Sequence, residues 1–84
     1  MSVYEFALVF NGPEDWPTEA LERLFAVCQD VIPGKVAGVP DIGFVRAAPS
    51  LGEAIRSALA DIDTAKLPGQ VIRIEIHADE LATA

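Results

Sequence analysis

Two stretches at opposite ends of the chain limit its fold more than any other feature: "VYEFALVF" at 3–10 and "VIRIEIH" at 71–77. In the first, Tyr4, Phe6, Leu8 and Phe10 fall on one side and Val3, Glu5, Ala7 and Val9 on the other. In the second, Ile72, Ile74 and Ile76 alternate with Arg73, Glu75 and His77. A period of two is the pattern of a strand, whose side chains leave opposite faces of a sheet. A strand cannot satisfy its own backbone, so both ends of the chain are expected in one sheet, with the middle supplying the connections.

"NGPEDWP" at 11–17 breaks the first strand, and Pro17 suits the first turn of a helix. That helix is expected to run to about Asp30, with Leu21, Leu24, Phe25 and Cys28 as its apolar stripe. "KVAGV" and "IGFVRAA" read as two short strands joined by a turn around Pro40 and Asp41. Reading residues 35–48 as one bent strand would leave three strands instead. Ser50 and Glu53 make a capping box at the head of a second helix, about Leu51 to Ala65, with a stripe of Leu51, Ile55, Ala58, Leu59 and Ile62. Pro68 and Gly69 turn the chain into the last strand. "IPGKV" at 32–36 recurs as "LPGQV" at 67–71, so each half is a strand–helix–strand unit. The expected fold is α+β, a single domain over residues 1–84. It is a ferredoxin-like βαββαβ two-layer sandwich, with a four-stranded antiparallel sheet, first and third strands central, and both helices on one face.

Composition narrows the function classes. Thirteen acidic against six basic residues give a net charge of −7, which repels phosphate backbones and anionic lipid. No direct nucleic-acid or membrane contact is expected. The N-terminus lacks a basic segment and carries Glu5 within its apolar run, unlike a signal peptide. One cysteine forms no internal disulfide, and a cytoplasmic location is the expectation.

The residues that catalysis would need are few. His77 is the only histidine, and a neighbouring Glu5 would make half of a general-base arrangement, but no nucleophile accompanies it. Cys28 belongs to the buried register of its helix and reads as a small core residue. One histidine and one distant cysteine supply no metal set, and the glycines do not form a phosphate-binding loop. No catalytic, cofactor or metal residues are expected. Trp16 is open to two readings, a partner-binding anchor or a staple on the first turn of its helix. Asp61, Asp63, Asp79 and Glu80 read as a solvated acidic face, with a nucleic-acid mimic as the alternative.

"YEFALVF", "RAAPS", "EAIRSALADI" and the Pro-Gly before the last strand together resemble a group of small uncharacterised bacterial α+β domains, whose longer relatives can carry a following helix-turn-helix segment. The resemblance implies regulation or partner binding and brings no catalytic residues. No helix pair of that kind is expected after "ADELATA". Gly43, Val45 and Ala47 stand where that pattern often carries charge, which points to an altered sheet surface.

The informative surface is therefore the sheet face away from the helices, expected to carry Glu5, Ala7, Val9, Gly43, Val45, Ala47, Arg73, Glu75 and His77. A small apolar centre with a charged rim is the build of a partner interface. The expected function is a non-enzymatic protein-interaction module, a bacterial regulatory or antitoxin-like subunit, acting as a homodimer or on a protein partner. A dimeric α+β barrel enzyme or ligand binder and an acidic inhibitor are the alternatives.

Overall fold

The structure, a computed structural model, describes residues 1–76. Its elements are β1 (Ser2–Phe10), α1 (Thr18–Val27), β2 (Val31–Val36), β3 (Val39–Ala48), α2 (Leu51–Ala65) and β4 (Val71–Ile76). The four strands form one antiparallel sheet in the order β2-β3-β1-β4, so the first and third strands are central. Phe6, Leu8 and Phe10 of β1, Ile42 and Phe44 of β3, Leu24 of α1 and Ala54, Ala58 and Ile62 of α2 share one buried cluster. Both helices therefore lie on the same face of the sheet.

The helices meet that face through small residues. Ala20 and Leu24 are the buried positions of α1, and Ala54, Ala58, Ile62 and Ala65 those of α2. This phase differs from the expected stripes: Phe25 is 44 % and Leu59 37 % exposed. Alanines let two helices and a sheet approach closely, so the small residues take the seam and the larger ones move to its rim. Across the seam Arg23 donates from Nε to the Ala65 carbonyl at 2.9 Å and from Nη2 to that of Lys66 at 3.1 Å. A cation from α1 thus occupies the negative end of α2, whose last carbonyls have no partner of their own. At the other end of α2 the Ser50 hydroxyl accepts from the Glu53 N–H, the serine half of the expected capping box.

Between the helices two boundaries move. Pro17 is the extended cap of α1 rather than part of its first turn. The helix stops at Val27, Cys28 is already extended, and β2 starts at Val31 instead of Lys35. The hairpin turn is Ala37–Gly38, with φ of 52° and 80°, and not Pro40–Asp41. Two positive φ values in a two-residue loop match the right-handed twist of the flanking strands. In such a hairpin the pair closing the turn, Val36↔Val39, is hydrogen-bonded and the next, Lys35↔Pro40, is not. Pro40 therefore points its missing N–H away from β2, one residue past the last β1–β3 pair, Val9↔Asp41. There it costs no ladder bond, which is why a turn-like Pro-Asp lies inside a strand.

At the far side of the sheet β4 pairs with the second half of β1, and the register slips by one between Val9 and Phe10, leaving Ile72 as the extra residue. The turn before it is tied to the end of β1: Asn11 N–H donates to the Gln70 carbonyl, and Gln70 N–H donates to Asn11 Oδ1. Gly69 sits in this tie with φ of 85°, and a Cβ there would fall 2.1 Å from the Gly12 carbonyl oxygen. Gly69→Ala is expected to cost at least about 2 kcal/mol, from the backbone conformation and the collision together. A urea-unfolding midpoint equal to that of wild type would contradict this.

Candidate functional site

The sheet face away from the helices is built by parity. Cross-strand partners share a face, so Val3, Glu5, Ala7 and Val9 of β1 stand with Asp41, Gly43, Val45 and Ala47 of β3. Arg73 and Glu75 of β4 join them on one flank, Ile32, Gly34 and Val36 of β2 on the other. The expected residues thus share one face, apart from His77, which lies outside the described residues. The apolar centre is different from the one expected. Val9 is fully buried between Asp41 and Arg73, and Ala7 nearly so beside Glu75. The large apolar residues left in water on this face are Val3 (57 %), Ile32 (67 %), Val36 (44 %) and Val45 (43 %). The patch thus lies toward β2, while the ion pair from Arg73 Nε to Glu75 Oε2, at 2.9 Å, holds the β4 side. Ile32 and Val36 escaped the sequence reading of this face; Ile32 could have been found from the isoleucine beside a proline in "VIPGKV", had β2 been started three residues earlier.

Asp41 lies on the same face and is buried at 9 % exposure. Burial, and secondarily the Glu75 carboxylate, push its carboxyl above the ordinary range. An acid whose folded pKa is raised penalises the fold when ionised. The penalty is present above the folded value and vanishes as pH falls to the ordinary aspartate value of about 4. Asp41→Asn is therefore expected to add about 1 kcal/mol at neutral pH and nothing below about pH 4, by denaturant titration at several pH values. A destabilised variant at neutral pH would contradict it.

The helix-side face holds the one polar cluster that sequence reading did not assemble. Arg46 alternates with Ile42 and Phe44 and so turns toward the helices. It makes a two-pronged bond to Asp30, Nε to Oδ2 at 2.8 Å and Nη2 to Oδ1 at 2.9 Å. It also reaches Asp61 at 2.8 Å and the Ser57 hydroxyl at 3.1 Å, both on α2. Its Cζ lies 5.0 Å from the centroid of the Phe44 ring. Hydrogen bonding to Arg46 holds Asp30 below the usual carboxylate range, and the same bonds keep the guanidinium firmly charged. Cys28 lies by this cluster in the core. Burial, with the Asp61 carboxylate adding to it, pushes its thiol up despite the pull of Arg46, so the sulfur stays protonated and unreactive at neutral pH.

The remaining candidates resolve simply. Trp16 packs edge-on to Phe10, centroids 4.9 Å apart, and donates Nε1–H to the Asp41 carbonyl at 3.2 Å; it is a half-buried brace rather than a free anchor. Asp61 is bound to Arg46, which removes it from any free acidic face, and Asp79 and Glu80 lie outside the described residues. Alternation with the outer-face residues Arg73 and Glu75 would put Ile72 and Ile74 in the core, but they are 53 % and 37 % exposed, because α2 leaves the outer side of β4 uncovered. Among the described residues no cluster of three or more histidine, cysteine or acidic side chains could hold a metal ion, and no helix is long and apolar enough to cross a membrane. Comparison with family models, curated proteins and solved structures gives no match to this chain.

Proposed function

We propose that this chain is a non-enzymatic protein-interaction module whose open sheet face is its working surface, with a second copy of the chain as the simplest occupant. One observation carries the reading: Val3, Ile32, Val36 and Val45 stand exposed on a single face, with Glu5 beside Val45 and the charges of Arg73 and Glu75 on the β4 flank. Isolated apolar residues on a surface mean nothing, but Val3, Val45 and Ile32 follow one another as diagonal neighbours across three strands, and an apolar row edged by charge is how contact surfaces are made. The strand order and the shared helix layer support the finer assignment to a ferredoxin-like arrangement, in which such a face is left open. The reading includes a cytoplasmic role as a regulatory, antitoxin-like bacterial subunit, and the net charge of −7 supports protein contact over direct nucleic-acid binding.

Val45→Glu tests the reading, since it adds a charge at the centre of the patch, opposite Glu5 in the register. In wild type the backbone amide resonances of Val3, Ile32 and Val45 are expected to shift as the protein is concentrated into the high micromolar range. In Val45→Glu they are expected to stay fixed. Wild-type resonances that do not move with concentration would contradict a second copy as the occupant. If the added glutamate disturbs the fold through Glu5, Ile32→Glu makes the same test from β2, where Gly43 is the cross-strand neighbour.

A further inference from the structure

Among the described residues the sheet has two edges, β2 and β4, and only one of them carries a block. In β2 the pair Pro33↔Ile42 is, by alternation from the hairpin, a non-hydrogen-bonded pair. Pro33 therefore points its missing N–H outward, along the edge that another strand would need. In β4 there is no such block. Its outward groups follow from one bond: Asn11 N–H donates to Gln70, so Val9 and Ala7 also turn their backbone groups toward β4. Leu8↔Ile74 and Phe6↔Ile76 are then the non-hydrogen-bonded pairs, and Ile74 and Ile76 aim their own N–H and C=O groups away from the sheet. Beside that free edge Ile72, Ile74 and Leu59 form an apolar groove on the helix side, at 53 %, 37 % and 37 % exposure.

We infer that the β4 edge pairs with the β4 edge of a second copy, antiparallel about a two-fold axis at Ile74, so that two sheets continue as one of eight strands. Charge selects both the occupant and the register. With Ile74 opposite its own mate, Arg73 faces Glu75 of the second copy and Glu75 faces its Arg73, two opposed pairs on one face. A register two residues along, Ile74 opposite Ile76, sets Glu75 against Glu75 and is disfavoured. At the axis the two Ile74 residues exchange both backbone bonds, and their side chains close over the grooves beside Leu59. Two chains at −7 repel at a distance, but at physiological salt that repulsion is screened within about 8 Å, while the paired strands lie closer. This contact is independent of the open-face reading, since it lies along an edge and not on the patch.

The test is made by sedimentation at physiological salt in the Val45→Glu background, which removes the open-face contact. That background protein is expected to remain a dimer. Adding Arg73→Glu makes both β4 charges negative and adding Glu75→Arg makes both positive, so each variant is expected to be monomeric. An equimolar mixture of the two is expected to double in mass, because every charge then meets its opposite. Circular dichroism establishes that each variant is folded, and Ile32→Glu replaces Val45→Glu if the latter is not. A monomeric background protein at high micromolar concentration overturns the inference. So do folded single variants that stay dimeric, and a mixture of the two that stays monomeric.

Discussion

Phe44→Ala is expected to cost about 4 kcal/mol and to lower the melting temperature by roughly 15–30 °C, enough to unfold a large share of a domain this small. Phe44 is 1 % exposed at the centre of β3, its ring parallel to that of Phe6 at a centroid distance of 5.3 Å and an angle of 7°. The Arg46 guanidinium also lies over it. Removing the ring leaves a cavity between the two central strands and takes away the surface on which Arg46 rests. Phe44→Leu refills most of that volume and is expected to cost about half as much. Urea unfolding followed by the fluorescence of Trp16, the single tryptophan, measures both, since that ring packs on Phe10 in the same core. An alanine variant within 1 kcal/mol of wild type would mean the cluster is not the core.

Arg46→Ala is expected to cost about 3 kcal/mol at neutral pH. The Arg46 side chain is 11 % exposed, and its loss strands Asp30 and Asp61 beside each other at the edge of the core. Desolvating two carboxylates with no cation between them costs more than the loss of either bond alone. Arg46→Lys keeps the charge but not the planar fork to Asp30, and an intermediate loss is expected. The pH dependence has a definite sign. The folded pKa of Asp30 is depressed, so its contribution is present above the ordinary aspartate value of about 4 and is lost as pH falls through the lower folded value. The gap between wild type and Arg46→Ala should therefore close below about pH 4, whereas the gap between wild type and Asp41→Asn closes in the same range for the opposite reason. A gap that widens on acidification would refute the assignment of Asp30 as the principal partner of Arg46.

These two variants also mark where the sequence was legible. Residues 3–10 alternate without interruption, and in β1 the alternation sorts the side chains correctly into a helix-side and an outer face, although Ala7 and Val9 on the outer face are buried. The Ser50 cap and the central placement of β1 and β3 were equally readable, because each depends on local chemistry or on handedness. The helix phases are not legible from hydrophobicity alone, because it takes no account of size. Leu21, Phe25 and Leu59 drew the stripe toward themselves, while the space between two helices and a sheet admits Ala20, Ala54 and Ala58. The hairpin was misplaced because Pro-Asp carries a stronger turn signal than Ala-Gly. What decided it was the pairing of β2, a long-range matter. The Arg46 cluster joins Arg46 to residues 11 to 16 positions away and has no local pattern, yet one sign is present: an arginine standing in parity with Ile42 and Phe44. A charge on the apolar side of a strand asks for a buried partner.

The same parity defines the face on which the functional reading rests, and Val45 lies at its centre. The most direct measurement uses Val45→Cys, a change close in size and polarity that leaves the contact intact, while Cys28 is buried and burial pushes its thiol up, so it is slow to alkylate. The rate at which the introduced thiol is alkylated reports whether position 45 is covered. Position 45 is expected to react at the rate of a free thiol in dilute solution and steeply more slowly as the protein is concentrated into the high micromolar range. A rate that stays that of a free thiol at every concentration would contradict it.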